Sequence, residues 1–477
     1  MSDPQGSVRL RIAVAGTSSF IGAAVSRALS AQAEVAILTR SMARAMRGGN
    51  GDFELRPCDH FSRGELEEAL RGVDVAVYLV HNRDPSARLD QAQSRDMDLL
   101  VADNFAWAAA RAGVRQIICR APLLASTQRR TARDAWEMEE VLKSHGVPVT
   151  VLRTGLVLGP GGELSKLLTS MVGRLPIIPI PRVAEAPLRP IHLEGFLAAV
   201  QHCVGNPETF GEAYDLCGPE SVSLRWMLEE TATLLGRRVR FLSWPSMPKG
   251  LFRAMLRTLR PSLHADFLTY LLDMFSGDTP GQDNPVVREV AQRWQPLRQT
   301  LEASVLAARA GAMAPPPQRA LDDEVIRQTR RVRSIQRLRL PARRNAEWLA
   351  DHYFKWLGAL MHPFIRTIRD EDGSWAVRQR PGNLTMLQLT FIPDRSSPDR
   401  RMYFITGGLL ARFLGGRTAR FEIRDLLKGQ FSMVAIHDFD PSLPWLFYRF
   451  TQAVVHGLVM KGFQGHMEQL AEGEAML

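Results

Sequence analysis

The chain has 477 residues, of which 45% are hydrophobic and 23% charged. That balance excludes wholesale disorder, a collagen-like repeat and a coiled coil, and the length accommodates two or three domains, each with its own core. The formal charge of +10 would suit an anionic partner, yet lysine occurs only at 143, 166, 249, 355, 428 and 461, and an arginine bias spread so evenly argues against nucleic-acid binding, which clusters its charge.

The N-terminal M-S-D-P-Q-G-S lacks a secretory pattern, and no apolar run reaches the length of a membrane span, so a soluble cytoplasmic protein is expected. From residue 8 onward, short apolar runs alternate with amphipathic stretches. The runs at 9–15, 34–39, 73–80, 114–119 and 148–158 predict strands, and 20–32, 63–70, 99–112 and 133–144 predict helices. Such alternation implies parallel strands with crossover helices: a Rossmann-like, doubly wound α/β sheet. Residues 160–310, with helices expected near 224–236 and 286–308, would form a substrate-facing rim. Cys58, Cys119, Cys203 and Cys217 stand outside any C-x-x-C spacing, which predicts buried thiols and no zinc site.

The stretch G-A-M-A-P-P-P-Q at 311–318 is the expected linker, followed by an arginine-rich block at 327–344. Val332, Ile335 and Leu338 lie at helical spacing in that block, which predicts one packed side of an otherwise solvated segment. The expected organisation is therefore a nucleotide-binding domain at 1–312, a linker at 313–345, and a smaller α+β domain at 346–477. In the last region, 385–392, 402–406, 419–426 and 430–437 predict antiparallel strands. A long helix follows, and its Trp445, Phe447, Phe450, Val454 and Leu458 are expected to pack onto the sheet. His437, Asp438 and Asp440 form an acidic–histidine group, but capping explains it and no metal is expected.

The sharpest motif follows the first strand, where residues 12–22 read I-A-V-A-G-T-S-S-F-I-G. Gly16 suits the turn off the strand, and Gly22 lets the helix backbone approach a pyrophosphate at the helix N-terminus. Thr17, Ser18 and Ser19 would add hydroxyl donors, with Phe20 and Ile21 completing the loop. Arg40, with Arg44 close behind, stands at the end of the second strand, where arginine suits the 2′-phosphate of NADP and an acid would suit NAD. NADP(H) is therefore expected in preference to NAD(H).

The loop resembles that of the short-chain dehydrogenase/reductase superfamily in its extended and atypical branches, whose pattern is T-G-x-x-G-F-I-G, with Ser19 in place of the middle glycine. Residues 139–161 (E-E-V-L-K-S-H-G-V-P-V-T-V-L-R-T-G-L-V-L-G-P-G), 189–195 (R-P-I-H-L-E-G) and 214–220 (Y-D-L-C-G-P-E) resemble the subgroup of NmrA-type regulators and a complex I accessory subunit. The resemblance implies Asp59 beside the adenine, and Leu79, Val80 and His81 passing the cofactor. It also implies a Tyr-x-x-x-Lys pair for acid–base chemistry, but Thr131 and Ala135 stand at those positions here. His81, Glu139 and His192 are candidate proton carriers near strand ends, and Ser126 is one if its loop is remodelled. Two functions follow: an NADP(H)-dependent oxidoreductase acting on a small apolar molecule, or a non-catalytic redox sensor or assembly factor. The C-terminal region resembles a helix-grip (START-like) fold that would hold a small hydrophobic molecule between helix and sheet. Peripheral membrane contact through the basic block and 252–272 is a further expectation.

Overall fold

The computed structural model describes residues 9–40, 53–80, 90–123, 130–260, 265–275, 283–309, 332–411, 419–443, 448 and 450–475. Contacts divide the chain into two compact units, Met1–Arg83 with Val101–Pro317, and Asp84–Leu100 with Gln318–Leu477. The second unit thus takes a segment, 84–100, that periodicity had assigned to the first.

The first unit is built on strands β1 (Arg11–Ala15), β2 (Glu34–Thr39), β3 (Phe53–Pro57) and β4 (Val75–Tyr78). With β6 (Gln116–Pro122), β7 (Val149–Thr154) and β11 (Ala213–Leu216) they form one parallel sheet of order β11-β7-β6-β4-β1-β2-β3. The order reverses between β1 and β4, and ligands of doubly wound sheets bind at such switch points, beyond the carboxyl ends of the strands. Helices α1 (Phe20–Ser30), α2 (Arg63–Ala69), α3 (Ser94–Ala112) and α4 (Arg130–Lys143) make the crossovers, as the alternating pattern predicts. One face of the sheet is closed by a core that joins Val14, Val77 and Ile118 to Val25 and Leu29 of α1 and to Phe196 and Val200 of a later helix. On the other face Tyr78 meets Phe105 of α3, ring centroids 4.9 Å apart. Two closed faces explain why the strand interiors read as continuous apolar runs.

The rim adds short parallel pairs, β8 (Val157–Leu158) with β10 (Ile191–His192) and β9 (Ile177–Ile180) with β12 (Arg240–Ser243). It also adds α5 (Glu163–Arg174), α6 (Leu193–Cys203), α7 (Leu224–Leu235), α8 (Lys249–Leu259), α9 (Ala265–Met274), α10 (Pro285–Val290) and α11 (Leu297–Arg309). Phe252, Leu256, Leu268 and Leu271 are buried in the rim core. Among the described residues no helix is long and apolar enough to cross a membrane. All four cysteines are buried free thiols.

In the second unit, β13 (Val332–Arg339) starts an antiparallel sheet that continues through β14 (Ile365–Arg369), β15 (Trp375–Gln379), β16 (Thr385–Phe391), β17 (Arg400–Gly407), β18 (Arg420–Leu426) and β19 (Phe431–Phe439). The order is β14-β15-β16-β17-β18-β19-β13, with the two-residue β5 (Asp90–Gln91) added parallel to β13. The expected linker therefore contains a strand. Its three-residue spacing mixes two faces: Val332 and Leu338 enter the core under the helices, whereas Ile335 is buried on the opposite side. Two of the basic block's arginines stack within this unit, Arg337 over Phe431 at 3.7 Å and Arg344 over Trp348 at 5.0 Å.

Helices α12 (Ala346–Leu360) and α13 (Gln452–Ala475) contribute to one face of this sheet's core. An aromatic cluster joins them, with Phe354 4.8 Å from Trp375 and Tyr353 5.0 Å from Phe463. The expected face of the last helix is corrected. Phe450, Val454 and Leu458 are exposed, and Met460, Phe463 and Met467 are buried instead; Trp445 and Phe447 lie outside the described residues. His437 lies 3.9 Å from Glu422, which pairs with Arg400 and Arg424, and those guanidiniums hold its carboxyl well below the usual range against the opposing effect of burial.

Candidate functional site

The β1–α1 turn begins at Gly16, whose φ of +93° is one that L side chains rarely adopt. A Cβ there would lie 2.4 Å from the Leu79 carbonyl oxygen, so the turn rests on the backbone leaving β4. The Leu79 N–H donates to the Ala15 carbonyl at 3.0 Å, and both Leu79 and Val80 are buried. A Cβ on Gly22 would lie 2.2 Å from the Gly16 carbonyl oxygen, which brings the first turn of α1 against the same peptide. Two bare positions leave a cradle at the N-terminus of an eleven-residue helix. Unpaired N–H groups and the helix dipole favour an anion there.

Ser19 takes φ −85°, so the fold requires no glycine at that position. Its hydroxyl donates to the Gly16 carbonyl at 2.9 Å and accepts the Gly22 N–H at 3.0 Å. The expected phosphate donor is therefore a helix cap. The side chains of Thr17 and Ser18 make no hydrogen bond among the described residues. Phe20 turns towards the loop after β8, its ring 3.1 Å from where a Gly159 Cβ would stand, and Ile21 packs on the sheet core.

Arg40 is exposed at the end of β2, and the Cys58 N–H donates to the Thr39 carbonyl at 2.9 Å, which sets the ends of β2 and β3 side by side. Asp59 braces this corner: its Oδ1 accepts the Phe61 N–H at 3.1 Å, and its own N–H donates to Glu65 at 2.8 Å. Burial, helped by the positive charge of Arg40, pushes the His60 imidazole down to about 4. Its Nε2 is buried without a hydrogen-bond partner. Burial, reinforced by Asp59 and Glu65, pushes the Cys58 thiol up to about 12. A neutral imidazole with an unsatisfied nitrogen therefore stands near an exposed guanidinium at this corner.

The proton-carrier candidates separate. Glu139 is buried on α4 and pairs with Arg153 at 2.8 and 3.2 Å. That pairing keeps the Arg153 guanidinium charged above its ordinary range. His192 is a buried helix cap: Nδ1 faces the Gly195 N–H at 2.9 Å and Nε2 faces the Gln295 N–H at 3.2 Å. Burial lowers its pKa, and the neutral ring, which accepts at one nitrogen only, takes the Gly195 N–H through Nδ1 as the cap of α6. The structure thus holds Glu139 in an ion pair and His192 in a helix cap. His81, Ser126 and Arg44 lie outside the described residues. At the positions of the superfamily's tyrosine and lysine, the Thr131 hydroxyl is hydrogen-bonded to Asp273 of α9 and Ala135 is buried.

Sequence reasoning missed a polar group at the carboxyl ends of β6 and β7. The guanidinium Nε of Arg120 donates to the Thr154 hydroxyl at 2.7 Å, and Arg120 also reaches the Tyr270 hydroxyl at 3.2 Å. Tyr270 in turn donates to the Gly155 carbonyl at 3.2 Å. The available signal was a single charge inside the otherwise apolar Q-I-I-C-R-A-P.

Comparison with known proteins agrees with this geometry. The NAD(P)H-binding family model matches residues 16–163. A reductase of Streptomyces griseus named for (4-alkanoyl-5-oxo-2,5-dihydrofuran-3-yl)methyl phosphate is 29% identical over 240 residues, covering 48% of this chain and 76% of that protein. The auxiliary protein GraX of Staphylococcus aureus is 28% identical over 110 residues, 23% of this chain and 35% of GraX. Among solved structures, triphenylmethane reductase of Citrobacter sp. complexed with NADP(H) superposes with a TM-score of 0.50 at 16% identity. The match covers 61% of this chain and 99% of that one, and it shows a shared fold.

Proposed function

We propose that this chain, whose first unit is an NAD(P)H-binding domain of the atypical short-chain dehydrogenase/reductase type, is a reductase that uses NADPH in preference to NADH. The observation that carries the proposal is the bare Gly16–Gly22 cradle, set on the Leu79–Val80 backbone at the switch point of the sheet and flanked by Arg40. The chemistry the nucleotide supplies when bound is a hydride. The first turn of α1 and the Thr17 and Ser18 hydroxyls would hold the pyrophosphate, and Arg40 the 2′-phosphate. Leu79 and Val80 would form an apolar wall beside the nicotinamide end.

No tyrosine or lysine stands at positions 131 and 135, so this site is not built to polarise an isolated ketone as the superfamily does. It suits acceptors already activated by conjugation, where negative charge spreads over the substrate and solvent completes protonation. The Streptomyces griseus relative, a reductase of a phosphorylated oxo-dihydrofuran, supports that substrate class. The same two residues favour a second reading, in which nucleotide is bound without turnover. NADPH oxidation at 340 nm against quinones, enones and butenolides separates the two. Oxidation with at least one acceptor supports the reductase, and binding of NADPH without turnover across the panel leaves the sensor.

Replacing Arg40 by alanine should weaken NADPH by about 10- to 100-fold, the worth of one charge-assisted phosphate contact. NADH binding should be unchanged. Equal losses for both nucleotides would show that Arg40 does not read the phosphate.

A further inference from the structure

We propose that Arg120 is the anchor for an anionic group of the substrate, so that this site takes a small phosphate ester or carboxylate. The proposal rests on the reductase reading above and deepens it.

Arg120 is 8% exposed. Its hydrogen bonds go only to neutral hydroxyls, those of Thr154 and Tyr270, and among the described residues no carboxylate lies within ion-pair distance of it. Three other buried or half-buried arginines each face a carboxylate. Arg63 pairs with Asp103 at 2.7 Å, Arg153 with Glu139 at 2.8 Å, and Arg400 with Glu422 at 2.7 Å. A guanidinium taken out of water without a counter-charge destabilises the fold, and a well-packed apolar residue of similar size would serve better there if stability were its only role.

Its place in the fold says what the charge is for. Arg120 is two residues from the end of β6, and Thr154 is the final residue of β7. These are carboxyl ends of central strands in a doubly wound sheet, the side on which ligands lie. Thr154 and Tyr270 fix the guanidinium by its edge, which leaves its remaining N–H groups for a planar, bidentate partner. That free guanidinium edge selects a phosphate ester or a carboxylate over a neutral ligand of the same shape.

The test uses the full-length protein loaded with NADPH, with phenyl phosphate, benzoate and benzyl alcohol as probes. Wild type should be stabilised by phenyl phosphate or benzoate at least tenfold more tightly than by benzyl alcohol, and the stronger of the two anions identifies the substrate's charged group. Arg120→Met should abolish that tenfold preference, keep NADPH affinity, and leave Tm equal or higher because an uncompensated charge is gone. Arg120→Lys should retain part of the preference, keeping charge without the fork. Equal binding of all three probes to wild type would overturn the proposal, as would an Arg120→Met protein that loses Tm while keeping the anion preference. Should Arg120→Met fail to fold, the wild-type comparison decides. Failure to load NADPH at all would instead contradict the cofactor assignment.

Discussion

Gly16→Ala should cost the first unit at least ~3 kcal/mol and reduce NADPH affinity more than a hundredfold. Two effects add. The residue must hold φ +93°, which strains any L side chain by roughly 1–3 kcal/mol. The new methyl would also stand 2.4 Å from the Leu79 carbonyl oxygen and 2.9 Å from the Val80 nitrogen, both backbone atoms that cannot rotate away. Relief requires the turn to lift off the end of β4, and that displaces the cradle from the sheet's switch point. Gly64→Ala is the matched control: it lies in α2 with nothing within 4 Å of its Cβ, so helix propensity should make it neutral or stabilising by up to ~1 kcal/mol. Thermal melts with and without NADPH check both variants. Wild-type NADPH affinity in Gly16→Ala would show that the loop does not hold the nucleotide.

The second large effect concerns Glu139 and Arg153. Arg153→Met leaves a carboxylate that is only 4% exposed without its partner, and breaking a buried pair from one side typically costs ~3–5 kcal/mol. Arg153 itself is 36% exposed, so water compensates part of the change and about 3 kcal/mol is expected. Glu139→Gln should be milder, because the guanidinium keeps its exposure and a neighbour in Asp215 at 3.9 Å. The double variant Glu139→Leu/Arg153→Met should recover most of the loss. Because Glu139 and Arg153 bond each other and neither bonds Arg120 or the Gly16 loop, activity per folded molecule should hold in every variant. A selective loss of turnover with unchanged Tm in Glu139→Gln would return this residue to the chemistry.

How much of this was legible in the sequence depends on which physical signal was available. The central strands were, because strands buried on both faces must be apolar from end to end, as in I-A-V-A and A-V-Y. The edge strand β3 reads F-E-L-R-P, half-exposed, and left no such trace. In β13 a spacing of three looked helical although it sampled two faces of one strand. The last helix is apolar on most sides, so periodicity could not choose between Phe450, Val454 and Leu458 and the residues actually buried, Met460, Phe463 and Met467. Segment 84–100 joins the second unit through pairing between residues more than 240 positions apart, which no local pattern encodes.

The site divides along the same line. Gly16 and Gly22 were readable because backbone conformation and close approach force a residue type. The roles of Ser19, Glu139 and His192 were not, since a hydroxyl, a carboxylate or an imidazole suits a cap or an ion pair as well as a ligand, and only the fold names its partner. Arg120 carried the opposite lesson: its charge was visible, but the absence of a compensating carboxylate among the described residues became apparent only in three dimensions.

The most direct test is thermal stabilisation of the wild-type protein by NADPH, NADP, NADH and NAD side by side. Ligand that binds only the folded state raises Tm by mass action. NADPH and NADP should raise it at concentrations where NADH and NAD do not; no shift with any of the four would contradict the nucleotide site and the function built on it.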